Sequence, residues 1–401
     1  MEQDNNLPPA SAQALFDGLN QASRKFVDDV IGSLSAAQRT DSAEILQALT
    51  ASLQTDGGPG AEIQQRYYRQ HLELWTNLAR AADGAPPPAP VVVPDKTDRR
   101  FHAPEWQQLP YFDYVKQAYL LNSRWLAELV ETARLTPAAK NKLRFFTRQL
   151  IDAAAPANFA PTNPEVIKLA AATNGESLAR GLEHLRADIE KGRISMTDEA
   201  AFEIGRNIAL TPGTVIYENE LMQLIQYQPA TATVHARPLV MVPPCINKYY
   251  ILDLQPANSF VRYAAEQGHT VFMVSWRNVP ADMGHLTWDQ YLEDGVIKAM
   301  NVARDVCAVA QVNVLGFCVG GTLVGAALAV LEAQGNQAAA SATLLTTMLD
   351  FSDPGELSVF IDDAYVEQRE KDFAHGGVLR GKELALTFSS LRANDLIWNY
   401  V

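Results

Sequence analysis

The sequence predicts an α/β protein whose mostly parallel sheet is incomplete at its C-terminal end and is preceded by a helical N-terminal domain. Three observations carry this expectation. Up to about residue 205, apolar residues recur at helical spacing, as in ALFDGLNQASRKFVDDVIGSL and WLAELVETARL. From Gly213 onward, short β-rich runs alternate with helix-length stretches. In VNVLGFCVGGTLVGAALAVL, Val312 to Leu331, the period switches from strand to helix within a few residues, and Cys318 sits at the junction.

In chain order, residues 1–95 form a variable helical segment closed by a proline-rich linker, GAPPPAPVVVP, which cannot continue a helix. The leading segment reads either as a solvated extension or as a docking arm. Residues 96–205 form the helical N-terminal domain, 206–350 the α/β core, and 351–401 a further region. Six strands are expected: TVIYEN, LMQLIQYQP, PLVMVPP, TVFMVSW, VNVLGF and ATLLTTML. The first two lie close enough to pair antiparallel at an edge. The next four are separated by stretches such as Ser259 to Gln267 and Asp289 to Ala308, long enough for right-handed crossovers. No internal repeat at solenoid spacing is present.

Bulk properties narrow the function. A net charge of −13 over 401 residues argues against nucleic acid or anionic membrane as a partner. The opening MEQDNNLPPASAQ lacks the cationic flank and apolar core of a secretory signal, so a cytoplasmic location is expected. Residues 306–331 are hydrophobic, but Gln311, Asn313 and four glycines interrupt them, which disfavours a membrane span. Cys245, Cys307 and Cys318 are odd in number and lack metal-type spacing, so neither a disulfide framework nor a metal site is expected.

The chemistry concentrates at Cys318. A nucleophile elbow is a sharp strand-to-helix turn that forces its reactive residue into a strained backbone region, and it needs small residues two before and two after. Gly316 and Gly320 occupy those places, and Gly321 adds further room. Gly316-Phe317-Cys318-Val319-Gly320 is thus the α/β-hydrolase pattern with a thiol where esterases carry a hydroxyl. The helix that follows would direct unpaired N–H groups and positive dipole at the sulfur. A small buried hydrophobe is the competing role for Cys318; its place between a strand and a helix favours catalysis. Cys307, among alanine and valine on a helix, reads as structural.

Such a site needs oxyanion donors: the backbone N–H after the nucleophile, and one from the loop after the third strand. Val319 supplies the first. MVPPCINKYYILDL follows the third strand, which makes the Cys245 N–H the second, with Pro243-Pro244 stiffening the loop. A thiol also informs on substrate. Acyl transfer from a thioester to cysteine keeps the acyl group at thioester level, so its later passage to an alcohol stays downhill. An acyl-CoA donor and an alcohol acceptor are expected, with no cofactor beyond that CoA thioester.

The runs PPCINKYYILDLQP, VFMVSWRN, NVLGFCVGGT, LLTTMLDFSDPGEL, LRANDLIWNYV and FEIGRNIALTPGTVIYENELMQLIQYQP closely resemble class I polyhydroxyalkanoate synthases, over roughly residues 100–401. The resemblance implies polymerisation of (R)-3-hydroxyacyl-CoA into polyester with release of CoA, and it places Cys318 on the acyl-carrying cysteine. It also implies that the helical region serves homodimerisation, granule attachment and phasin contact, and that residues 351–401 begin a mobile cap. The family places its catalytic Asp and His beyond the elbow, past the point where these 401 residues stop, and LIWNYV ends on an apolar pattern without a stop signal. A C-terminally truncated chain is therefore expected.

Other candidates for the missing roles read as structural. His375, in DFAHGGVLRG, is the only histidine after Cys318 and falls in the implied cap, as a loop residue. His269 opens a strand, and His285 lies in a polar stretch. Asp350, Asp353, Asp362 and Asp363 follow the sixth strand as turn and surface residues, and Asp253 either positions the oxyanion loop or caps a helix. The alternatives to a polymerising acyltransferase are a thioesterase or esterase, and a catalytically silent granule-binding or dimerising fragment.

Overall fold

The computed structural model describes residues 58–82, 88–246 and 248–400. The expected helix within residues 14–34 and the first part of the proline-rich linker lie outside them. The described chain divides into two compact units: residues up to Met196 with Gly355–Gln368 and the stretch from Ala385, and Thr197–Pro354 with Arg369–Leu384.

The first unit is helical. It contains α1 (Pro59–Ala82), α2 (Pro110–Thr132), α3 (Pro137–Ala153), α4 (Pro164–Ala172) and α5 (Glu176–Lys191). Local chemistry sets their ends. Proline opens α2, α3 and α4, where its missing N–H costs no hydrogen bond. Thr136 Oγ1 accepts from Ala139 N, Asn163 Oδ1 accepts from Glu165 N at 2.9 Å, and Gly192 ends α5 in the left-handed region. The tail of the proline-rich stretch lies on α2: Val91 N and Val92 N both donate to Gln117 Oε1, and Val92 is buried with Leu74 and Leu121. Arg100 ties the unit together by donating to both Asp98 oxygens, the Tyr119 hydroxyl and Asn394 Oδ1.

The segment Gly355–Phe360 rests on α3 through aromatic and ionic contacts. Phe360 meets Phe145 edge to face at 5.1 Å, Arg148 pairs with Glu356, and Lys142 Nζ lies 2.8 Å from Asp362 Oδ2. Arg148 holds the Glu356 carboxyl below its ordinary range. Burial pushes Asp362 up, but Lys142 and the Tyr365 N–H outweigh it, so that carboxyl too is lowered. A carboxyl lowered on folding contributes stability at neutral pH that is lost as pH falls through the depressed range. Glu356→Gln with Asp362→Asn is therefore expected to lower the thermal midpoint at pH 7, and the gap from the parent should close below about pH 4. Calorimetry across pH checks this; equal midpoints at pH 7 refute it.

The second unit is an α/β sheet of six strands: β1 (Gly213–Glu218), β2 (Met222–Tyr227), β3 (Leu239–Val242), β4 (Val271–Trp276), β5 (Val312–Phe317) and β6 (Ala339–Leu345). Their order is β1-β2-β4-β3-β5-β6. As the sequence suggests, β1 and β2 pair antiparallel at an edge; β2 meets β4 antiparallel, and β4, β3, β5 and β6 run parallel. Alternation along the strands sorts side chains to two faces. Val240, Val242, Phe272, Val274 and Val314 join the larger apolar cluster, which includes residues of α7 (Lys298–Cys307) and α8 (Val319–Ala333). Met241, Met273 and Leu315 point the other way, toward α6 (Phe260–Glu266). Among the described residues, no helix is long and apolar enough to cross a membrane.

One expected helix is present but not α-helical throughout. The stretch Asp289 to Ala308 contains a widened π turn, Tyr291–Ile297, before α7 begins. Within this turn a Cβ on Gly295 would lie 2.6 Å from the Trp276 ring, so only glycine fits where the chain passes the indole.

Candidate active site

Parallel pairing sets Val242 of β3 against Gly316 of β5, so the segments beyond them leave the sheet at the same edge. Cys318 follows β5 at φ 53°, ψ −125°, and α8 starts at the next residue. That backbone region costs on the order of 1–3 kcal/mol for a residue bearing a Cβ and persists only where its surroundings enforce it. Here they do. Cys318 N donates to Leu345 O at 2.9 Å, its carbonyl accepts from Gly321 N at 2.8 Å, and Thr322 Oγ1 donates to Met348 O at 2.8 Å.

The three glycines are required by close approach. A Cβ on Gly316 would sit 2.3 Å from Gly321 Cα; one on Gly320, 2.1 Å from Val242 O and 2.6 Å from Pro243 O; one on Gly321, 1.9 Å from Thr347 Oγ1. The start of α8 thus lies against the ends of both β3 and β6. The Cys318 side chain is partly exposed. Val319 stands first in α8, where an N–H has no acceptor within the helix. Among the described residues neither it nor Cys245 N donates to a backbone oxygen. Burial pushes the Cys245 thiol up against the pull of its own backbone N–H, and the charge of nearby Cys318 raises it further, so Cys245 stays protonated at neutral pH.

Two features of this edge escape a reading of the sequence. Trp276, last in β4, donates Nε1–H to Pro243 O at 2.8 Å, and its ring packs at a tilt of 37° against Tyr291 with centroids 5.4 Å apart. Burial raises the Tyr291 hydroxyl, and electrostatic coupling to Cys245 raises it further, which puts this ring near the Cys245 loop, as the Pro243 bond does for Trp276. A glycine inside an otherwise helical pattern, YLEDGVIKAM, is the one signal that could have found them.

Asp253 is a buried anchor of the next segment. Thr211 Oγ1 and Ser259 Oγ each donate to its Oδ1 at 2.6 Å, and Thr211 N donates to Oδ2 at 3.3 Å. It is Ser259, not Asp253, that caps α6, by accepting from Arg262 N. Removing a buried carboxylate that holds these donors costs roughly 3 kcal/mol, so Asp253→Ala should lower the urea midpoint accordingly. A midpoint within error of the parent refutes the anchoring.

The remaining candidates have surroundings of their own. His375 is exposed in the turn after the helix Asp363–Phe373. His285 is exposed, with Nε2 3.5 Å from Glu220. Asp350 accepts from Ser352 N, which lowers its carboxyl, and Asp362 is held by Lys142; Asp353 and Asp363 are exposed. Cys307 packs, partly buried, against the larger apolar cluster. His269 packs at a tilt against His235, centroids 5.0 Å apart, beside a cleft of about 600 Å³ that also touches Arg237 and Asn313. These residues precede or open β3, β4 and β5, so the cleft lies at the edge opposite Cys318.

A mostly parallel sheet that ends in a strained cysteine between crowded glycines defines an α/β-hydrolase-fold protein. The family model for the alpha/beta hydrolase fold matches residues 238–401, and that for the poly-beta-hydroxybutyrate polymerase (PhaC) N-terminus matches residues 97–264. The poly(3-hydroxyalkanoate) polymerase subunit PhaC of Cupriavidus necator is 51% identical over 85% of this chain and 57% of its own length. The poly(3-hydroxyalkanoate) polymerase of Methylorubrum extorquens is 39% identical over 98% of this chain and 64% of its own. The Rhizobium meliloti subunit is 38% identical over 84% and 56%. The chain belongs to the polyhydroxyalkanoate polymerase family, and it spans about three fifths of the length of these relatives.

Proposed function

We propose that the protein is an acyltransferase that polymerises (R)-3-hydroxyacyl-CoA into polyester through a thioester on Cys318. The observation that carries this reading is the strained Cys318 backbone at the head of α8, between glycines that admit no side chain. The Cys318 thiolate attacks the thioester carbonyl, and the tetrahedral oxyanion is held by the N–H groups of Val319 and Cys245. The bond from carbon to the CoA sulfur then breaks, CoA leaves and takes up a proton, and the acyl group remains on Cys318. The hydroxyl of a growing chain, giving its proton to a base, attacks that thioester in turn and frees the thiol for another cycle.

The names of the relatives support polyester as the product. The family resemblance supports the remaining proposals: cytoplasmic granules as the setting, a homodimer as the assembly, phasin contact through the helical region, and no cofactor beyond the CoA thioester. Incubating the chain with (R)-3-hydroxybutyryl-CoA and following CoA release together with product size tests the reading. Polymer supports it; stoichiometric free hydroxy acid would make the protein a thioesterase, and no Cys318-dependent CoA release would make it catalytically silent.

A further inference from the structure

We propose that Trp276 is a positioning residue: its indole N–H sets the aim of the Cys245 oxyanion donor. The inference rests on the acyltransferase reading above. The Pro243 carbonyl accepts from Trp276 Nε1 at 2.8 Å and lies close beside Gly320, where a Cβ would come within 2.6 Å of it. One residue separates this carbonyl from the Cys245 N–H, and that residue is Pro244. Its ring locks φ near −65°, so a single soft torsion, ψ of Pro244, lies between that carbonyl and the donor. Fixing Pro243 therefore largely fixes where the Cys245 N–H points.

The indole is itself held. The π turn places Gly295 close against its six-membered ring, where a Cβ would lie 2.6 Å from one ring carbon and 2.7 Å from the next, and Tyr291 packs on it at a tilt. Asn219 Nδ2 donates to Asp294 O at 2.8 Å, tying the π turn to the β1–β2 connection. A π turn in this place thus has a use: it makes room for a ring whose N–H braces the loop after β3. Two adjacent prolines alone would stiffen the loop without registering it against the elbow.

The test uses the full chain with Trp276→Phe, which keeps a ring but has no N–H, and Gly295→Ala, which keeps the N–H but displaces the ring. Three quantities are read: Cys318 acylation by (R)-3-hydroxybutyryl-CoA, from intact mass; Cys318 alkylation by iodoacetamide; and amide hydrogen exchange across residues 245–252. Alkylation passes through no oxyanion. Both variants should acylate at least about tenfold more slowly, given that losing an oxyanion donor outright costs 10²–10³. Alkylation should stay within about twofold of the parent, and exchange in the loop should quicken. Benzothienylalanine at 276, an isostere without the N–H, should match Trp276→Phe, whereas 5-fluorotryptophan should match the parent. Unchanged acylation in Trp276→Phe overturns the proposal, as does a parallel fall in alkylation. If the parent takes no acyl group, the acyltransferase reading fails by itself; loop exchange then decides the brace, and exchange that does not respond to Trp276→Phe overturns it.

Discussion

Cys318→Ala is expected to abolish the proposed attachment of a 3-hydroxyacyl group from its CoA thioester, a fall of at least about a thousandfold in labelling rate. The size of the effect follows from removing the only sulfur that the elbow presents. Cys245 lies nearby, but burial raises its thiol, so it stays protonated at neutral pH, and its proposed part is played by its backbone N–H. Cys245→Ala keeps that N–H and should still label. Intact mass with a nonhydrolysable or slowly transferred 3-hydroxyacyl-CoA analogue distinguishes the two. Persistent label in Cys318→Ala, with loss in Cys245→Ala, would move the acyl group to the other thiol and overturn the site.

The contrast between these cysteines shows which parts of the site the sequence discloses. The elbow is a local object: Gly316, Cys318, Gly320 and Gly321 lie within six residues, and the switch of hydrophobic period marks the turn. The parallel strands are equally legible, because β-branched runs separated by helix-length stretches leave few alternatives. The Trp276 brace is not legible, because it joins a ring to a carbonyl 33 residues away, and nothing in either neighbourhood encodes the distance. The sixth strand shows another limit. The run ATLLTTML suggests a strand to Leu349, but β6 runs from Ala339 to Leu345 and Thr346 turns at φ 47°. Exposure along most of β6 removes the alternation that marks a strand. The apolar residues beyond it serve a different contact, with Leu349 Cδ2 reaching Gly325 of α8.

The elbow glycines give the second large effect, and they should fail in different ways. Gly320→Ala drives a methyl group to 2.1 Å from Val242 O and 2.6 Å from Pro243 O, both main-chain atoms. No side-chain change can relieve that, so β3 and α8 must separate, at a cost above about 3 kcal/mol, the upper range for overpacking. Gly321→Ala instead meets Thr347 Oγ1, Cγ2 and Cβ at 1.9, 2.8 and 2.9 Å, all atoms of one side chain. Thr347→Gly removes every one of them, so the double variant should recover most of the stability lost in Gly321→Ala, while Thr347→Gly added to Gly320→Ala should recover none. Denaturant midpoints for the two cycles, with Cys318 alkylation as a check on the elbow, measure the couplings. Equal coupling in both cycles would mean that α8 shifts as a whole, not that each glycine answers its own neighbour. The strained Cys318 would then be held by the helix as a body and not by the contacts at Gly320 and Gly321.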